Sequence, residues 1–302
     1  MSPIRLLILT LLALVGFAAN SVLARAALGP ALIDPASYTT IRLVSGAVAL
    51  WLIVILGPKQ QPNACRGSWG GATLLFLYAI TLSFAYIALD TGIGALILFA
   101  LVQITMIGSG LFHGERPHPG QWLGVAAAVA GLAWMVWPGG AAAPPLWAAA
   151  LMALSGIAWG LYSLRGRGSR DPVAVTADNF LRAVPMTLAA SLLFLPLLHL
   201  QPAGVLLAVA SGAVSSGVGY AVWYAALPAL SAIRAASVQL AAPVLAAIAG
   251  VALMAEPVTL RLVTGGALII GGIAATVLIR ERVRQPPAGP GQAPGSRPPG
   301  NR

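Results

Sequence analysis

Charge is scarce in this sequence. Only 8% of its 302 residues are Asp, Glu, Lys or Arg, where a soluble domain carries about 25%. Seven acidic residues stand against seventeen basic ones, and 59% of the chain is hydrophobic. No soluble fold of this size hides so much apolar side chain, so the lipid bilayer is the expected solvent. Cysteine is nearly absent too. Cys65 stands alone, which excludes a disulfide framework, a zinc knot or an iron–sulfur cluster within one chain. No cofactor or metal is expected. The net charge of +10 would suggest nucleic acid in a soluble protein. Here the basic residues sit in short breaks between apolar runs, so they read as topology signals and anionic-lipid contacts, not a nucleic-acid surface.

What is present is a series of apolar runs of spanning length. They fall at roughly 5–25, 37–56, 70–89, 91–112, 119–138, 145–164, 173–198, 204–226, 232–254 and 261–279, ten in all. Asp90-Thr91 separates two of them and Glu256-Pro257 two more; such short breaks make neighbouring helices antiparallel. With the N-terminus inside, fourteen Lys and Arg residues fall on the inner side and only Arg25, Arg42 and Arg261 on the outer. Both termini are then cytoplasmic, in a plasma membrane of the bacterial inner-membrane type. Ala24-Arg25-Ala26 resembles a signal-peptide cleavage site, but Asn20 interrupts the preceding run and cleavage is not expected. Beyond Arg284 the chain is rich in Pro and Gly without apolar periodicity, and 285–302 reads as a disordered cytoplasmic tail.

The chain echoes itself. Gly16–Arg25 reads GFAANSVLAR and Gly156–Arg165 reads GIAWGLYSLR, 140 residues later. Arg42 returns as Arg182, Glu115 as Glu256, and Gly124/Gly131 as Gly265/Gly272, at offsets of 140 or 141. A fixed offset marks a tandem duplication. The units are 5–138 and 145–280. Five spans per unit is odd, so the second copy is inserted upside down, the pattern of alternating-access transporters.

In these motifs the chain resembles the ten-helix drug/metabolite transporter superfamily, in its EamA-domain branch. The matching pieces are Asn20, Arg25 and Arg42, the runs ALDTGIGALI and GERPHPGQWLG, then NFLRAVP around Arg182, Pro243, and AEPVTLRLVTGGALIIGG. The resemblance covers about residues 5–280. It implies an all-α integral membrane fold of two inverted five-helix repeats around a central cavity, lined mainly by spans 1, 3, 4, 6, 8 and 9, with spans 5 and 10 at one edge. Gln103 stands where the family often has proline, whereas Pro243 keeps it, so the two halves need not break their cavity helices alike.

Candidate cavity residues follow from polar and aromatic groups at mid-depth. Gln103, near the middle of span 4, is either a substrate hydrogen bond or an interhelical one worth about 0.6–2 kcal/mol. Gln239 lies on a face of small residues in span 9. Pro243 would free its carbonyl and kink the helix. Gly212, Ser216, Tyr220 and Trp223 form the most polar-aromatic stripe in the chain; Tyr78, Thr81 and Tyr86 lie on span 3. Rings with hydroxyls suit an amphipathic organic solute; a core role is the better reading of any one of them alone, and the poorer reading of all of them together. Asn20 lies in the outer half of span 1, and Trp159 and Tyr162 in the inner half of span 6, as gate or cavity candidates.

Other residues receive plainer readings. Arg25 and Arg165 complement helix C-termini. Arg42 and Arg182 snorkel to the interface or attract an anion, the former being preferred. Glu115 and Glu256 cap the helix that follows each. His113, Glu115 and His118 share a short polar loop, which chance readily produces. Trp69, Trp122, Trp137 and Trp147 form an interfacial belt. The glycine pairs let spans 5 and 10 pack closely, against each other or across a homodimer. No Asp, Glu, Lys or His lies at the middle of any span. A first-span carboxylate, as in the small multidrug members, is replaced by Ala13, Leu14 and Val15.

The sequence therefore reads as a non-enzymatic transporter of small neutral or zwitterionic, amino-acid-like metabolites. Efflux is the expected direction, and a small-molecule substrate and the lipid bilayer are the expected partners. The alternatives are a carrier of anionic or lipid- or nucleotide-linked substrates, supported by Arg42 and Arg182, and a non-transport scaffold.

Overall fold

The computed structural model describes residues 2–57, 67–112, 118–139, 143–166, 169–230 and 238–284. Cys65, His113, Glu115, the tail and several of the topology-setting Lys and Arg residues lie outside them.

The described residues fold into helices joined by short turns. These are α1 Pro3–Leu28, α2 Pro35–Leu56, α3 Trp69–Ala85, α4 Thr91–Phe112, α5 Pro119–Val136, α6 Leu146–Arg165, α7 Pro172–Leu193, α8 Pro202–Ala229, α9 Ala241–Met254 and α10 Leu260–Arg284. The starts are written in local chemistry. Proline stands in the first turn of α1, α2, α5 and α7, where its missing N–H costs nothing. Asp34, Ser68 and Asp171 accept a backbone N–H of the first turn of α2, α3 and α7. Among the described residues, seven helices are long and apolar enough to cross a membrane. α3 and α9 are shorter at 17 and 14 residues, and α7 carries Asp178, Asn179 and Arg182 within its length.

The molecule is built inside-out relative to a soluble protein. On α2 the residues Val44, Val48, Trp51, Leu52 and Ile55 are exposed, while Tyr38, Arg42 and Leu50 are buried on the other face. The same holds for Leu7, Leu11 and Val15 of α1. Apolar residues facing outward along whole helices need hydrocarbon around them. Trp69, Trp122, Trp137 and Trp147 are all exposed near helix ends.

Helix packing has an internal symmetry. α5 packs on α10, α2 on α7, and α4 on α9. α3 packs on α6 as α8 does on α1, α4 on α6 as α9 on α1, and α2 on α8 as α7 on α3. Exchanging helices 1–5 for 6–10 leaves this pattern unchanged. The loops before α2 and α8 also meet, through Asp34 N–H to the His199 carbonyl and Gln201 N–H to that of Leu32, both 2.9 Å.

Several sequence expectations are revised here. The glycines of α5 and α10 face one another within the chain. A Cβ at Gly124 would meet the Gly272 carbonyl and one at Gly131 would meet that of Gly265. These four glycines thus pack against each other within the chain, the first of the two expected alternatives, and are not free to form a seam across a homodimer. Span 8 is not a plain α-helix: Ala210–Val218 is π-helical. Span 9 is not one run either. Val238 and Gln239 end in a turn at Leu240, and α9 restarts at Ala241. Pro243 then sits in the first turn of α9, and the break at Leu240 directly follows Gln239, the residue whose carbonyl the proline ring is expected to crowd.

Candidate functional site

Aromatic rings from both halves of the chain meet at mid-bundle. α3 supplies Tyr78, α6 Trp159 and Tyr162, and α8 Tyr220. The Trp159 ring lies 4.8 Å from Tyr78, 5.3 Å from Tyr162 and 5.3 Å from Tyr220, the last stacked at 18°. Trp159 and Tyr162 are three residues apart on α6, hence neighbours on one face. Phe17 of α1 bridges Tyr220 and Trp223 at 6.0 and 5.7 Å. Phe180 of α7 packs edge-on against Tyr220 at 6.2 Å. Such rings offer flat apolar walls with hydroxyls at their rims.

The π-helical turn of α8 positions this cluster. Its i→i+5 bonding brings residues five apart over one another. Ser211 and Ser216 consequently both donate to Asn20 Oδ1, at 2.9 and 3.4 Å. The turn is made of small residues because α2 presses on it. A Cβ on Gly212 would collide with the Arg42 carbonyl, and one on Gly217 would lie 2.8 Å from Ala49 Cβ. Asn20 thus pins α1 to the π turn. Tyr162 is held similarly, its hydroxyl within 3.3 Å of Asn179 Nδ2 and 3.5 Å of Thr176 Oγ1. Ser155 of α6 donates to the Tyr78 carbonyl at 2.8 Å.

Arg42 is the residue that sequence reasoning misjudged. It does not snorkel: it is 1% exposed, the largest fully buried side chain among the described residues. It is the eighth residue of α2, and its face of the helix turns inward, away from lipid and interface alike. Nη2 donates to the Tyr78 hydroxyl at 2.9 Å, and the guanidinium lies 5.1 Å from that ring's centroid. Tyr38, one turn earlier, and Tyr220 are its other electrostatic neighbours. Nε and Nη1 have no hydrogen-bond partner among the described residues. The spacing Tyr38, Arg42, Gly46 along one helical face was the available signal. Arg182 differs; it is half-buried, pairs with Asp178 at 3.1 Å and lies over Trp69.

A second polar cluster lies at one end of the bundle. Arg25 Nη1 donates to the carbonyls of Tyr86 and Ile87 at 3.2 and 3.1 Å. Nη2 lies 3.4 Å from Asp90 and Nε 3.8 Å from Glu256. Arg25 therefore does more than complement its own helix end. Glu256 does not cap the helix that follows it. Its Oε1 accepts from Thr91 N–H and Oγ1 at 2.8 and 2.7 Å, capping α4; Thr259 Oγ1 accepts the Leu262 N–H in the first turn of α10. One carboxylate thus ties α1, α4 and the α9–α10 turn. A cavity of about 240 Å³ opens beside it, lined by Asp90, Gly92, Ile93, Glu256, Pro257, Thr259 and Leu262. At the other end Arg165, the counterpart of Arg25, donates to the Gly70 carbonyl at 3.3 Å.

The remaining candidates have no ring contact with the stack among the described residues. Thr81 is buried, its hydroxyl returned to the Leu77 carbonyl of its own helix at 2.7 Å. Tyr86 is buried at the α3 C-terminus with its ring against Gly94. Gln103 is buried on α4, Gln239 is half-buried just before the break, and Pro243 is buried in the first turn of α9.

Comparison with known proteins agrees with this architecture. The model of the EamA-like transporter family matches twice, over residues 4–137 and 146–278. An uncharacterized protein of Pseudomonas aeruginosa is 51% identical over 271 residues, 89% of this chain and 93% of that one. An uncharacterized transporter of Archaeoglobus fulgidus is 26% identical over 263 residues, 83% and 90% of the two chains. A protein of known crystal structure superposes with a TM-score of 0.66 at 21% identity, over 92% of this chain and 98% of that one, which shows a shared fold. Matched separately in each half of its helical bundle, the chain belongs to the EamA-like transporter family and is a multi-pass membrane transporter of the drug/metabolite type.

Proposed function

We propose that the protein moves small amphipathic organic metabolites across a bacterial-type inner membrane by alternating access between two inverted repeats. The observation that carries this is the stack of Trp159 on Tyr78 and Tyr220. It joins the two repeats at mid-depth, where a solute must pass and where no lipid-facing helix needs rings. On this reading all ten helices cross the membrane and both termini are cytoplasmic. The Arg25–Asp90–Glu256 cluster then lies at the outer end and closes it, so the conformation described is closed to the outside. Binding within the stack weakens packing between repeats and lets one rock against the other. Efflux is the direction proposed, and no chemical step is assigned to any residue.

The test is flux. Purified protein in proteoliposomes should move one or more aromatic or branched-chain amino acids, or their metabolites, faster than protein-free vesicles. Trp159→Ala should abolish that flux. Folded protein that moves none of them would overturn the reading. A scaffold role has lost its main motive, since the paired glycines of α5 and α10 contact each other.

A further inference from the structure

We infer that Arg42 is the counter-charge for a carboxylate on the transported solute, so that the substrate class is an organic carboxylate with an apolar or aromatic body. The inference rests on the transport reading above and names the substrate of the same site.

The first ground is an unbalanced charge. Burying a guanidinium costs several kcal/mol, even after relaxation, unless a partner compensates it. Every described carboxylate with a recorded contact is engaged elsewhere. Asp34 caps α2 and accepts from His199 N–H. Asp90 and Glu256 hold Arg25, Asp171 caps α7, and Asp178 holds Arg182 and the Gly67 N–H. Among the described residues the Arg42 guanidinium has only the phenols of Tyr78, Tyr38 and Tyr220 as electrostatic neighbours. Of its five N–H donors, one is used on Tyr78, and Nε and Nη1 remain unpartnered in a side chain 1% exposed.

The second ground is an internal control. Arg182 is the repeat counterpart of Arg42, 140 residues on. Its counter-ion, Asp178, stands four residues earlier. The position four residues before Arg42 is Tyr38. One copy of the duplicated unit thus carries an arginine with its carboxylate. The other carries the same arginine, more deeply buried, with an aromatic residue where the carboxylate would be. A charge retained at this depth without a partner points to one that arrives with the ligand.

The third ground is geometry. The guanidinium lies against Tyr78, whose ring also contacts Trp159. A carboxylate taking the free N–H groups would place its attached body against the rings of Tyr78, Trp159 and Tyr220. One cation matches one carboxylate. A phosphate ester, with nearly two charges, is ordinarily met by an arginine cluster, and Arg182 is already paired. The lipid-linked and nucleotide-linked alternatives are therefore disfavoured.

The experiment uses the full chain in detergent and three probes of one shape: 3-phenylpropanoate, 3-phenylpropanamide and 3-phenylpropylammonium. Binding is read as saturable change in tryptophan fluorescence and as thermal shift. The acid should bind about tenfold or more tighter than the amide, equivalent to ~1.4 kcal/mol, and the ammonium should not bind. Equal affinity for acid and amide would overturn the charge assignment while leaving the aromatic site standing. No saturable binding by any probe would overturn the site reading itself. Tyr38→Asp copies Asp178 and supplies Arg42 with an internal carboxylate, so it should keep the fold and lose the preference for the acid. Arg42→Gln should lose the same preference. Retention of that preference in folded Tyr38→Asp protein would also overturn the inference.

Discussion

Glu256→Gln is the most informative single change at the closed end. The substitution keeps the shape of the side chain and removes its charge. Two hydrogen bonds from Thr91, at 2.8 and 2.7 Å, cease to be charge-assisted, and each loses about 0.5–1.5 kcal/mol. The Arg25 contact at 3.8 Å loses its ionic part. It is partly shielded, with the two side chains 23% and 9% exposed, and contributes about 1 kcal/mol. Asp90 still holds Arg25 at 3.4 Å, so the cluster weakens without vanishing. The sum is ~2–4 kcal/mol. If these contacts exist only when the outer end is closed, the open population rises roughly 30- to 1000-fold. Ser21, one turn before Arg25 on α1 and 2% exposed, is a suitable reporter. In a Cys65→Ser background, Ser21→Cys should react slowly with a membrane-impermeant maleimide added from outside. Adding Glu256→Gln should accelerate that labelling strongly. An unchanged labelling rate in folded protein, or acceleration only from the cytoplasmic side, would refute the assignment of this cluster as the outer closure.

Three further changes probe the packing around the site. Trp159→Ala removes the ring that contacts Tyr78, Tyr162 and Tyr220; it should cost about 3–5 kcal/mol of stability along with the flux, and a melting temperature within a degree of wild type would contradict the packing described. Gly272→Val places a Cβ 2.7 Å from the Ala128 backbone nitrogen, and should lower thermal stability in detergent by about 1–3 kcal/mol or more, whereas the same change at Gly271, which has open space around it, should cost far less. Asn20→Ala strands the hydroxyls of Ser211 and Ser216 at a cost of about 1–3 kcal/mol, and adding Ser211→Ala and Ser216→Ala should recover part of it, a coupling measurable by a mutant cycle.

The helices, the duplication and the family were legible in the sequence because each rests on a signal repeated many times. Apolar runs are set by the length of a bilayer crossing. The Gly124/Gly131 and Gly265/Gly272 echo named the α5–α10 seam, since only glycine admits backbones that close. Tyr78, Trp159, Tyr162 and Tyr220 are candidates by their chemistry, and the fold brings those four rings together. Thr81, Tyr86, Gln103, Gln239 and Pro243 are candidates by the same chemistry but have no ring contact with the stack among the described residues, because depth in a span does not say which neighbour a face meets. The π turn was not legible. Spacing of i, i+4, i+8 gave Gly212, Ser216 and Tyr220 a common α-helical stripe, whereas the turn pairs Ser211 with Ser216 on Asn20.

Arg42 and Arg25 show where one-residue reasoning fails. An arginine seven residues into α2 is ~10 Å along the helix from its first residue, within reach of the interface for a long side chain, so snorkelling is a sound expectation from depth alone. What decides the matter is azimuth. Val44, Val48, Trp51 and Ile55 take the lipid side of α2, which leaves Arg42 on the side of Tyr38 and Gly46, facing α3, α7 and α8. Arg25 likewise ends its helix, but the groups it serves arrive from Asp90 and Glu256, 65 and 231 positions away in sequence. The two arginines then divide the work of charge in an almost uncharged interior. Arg25 finds carboxylates in the chain and closes an end. Arg42 finds none among the described residues, and the rings around it leave space in the chemistry, though not in the closed packing, for one that comes from outside.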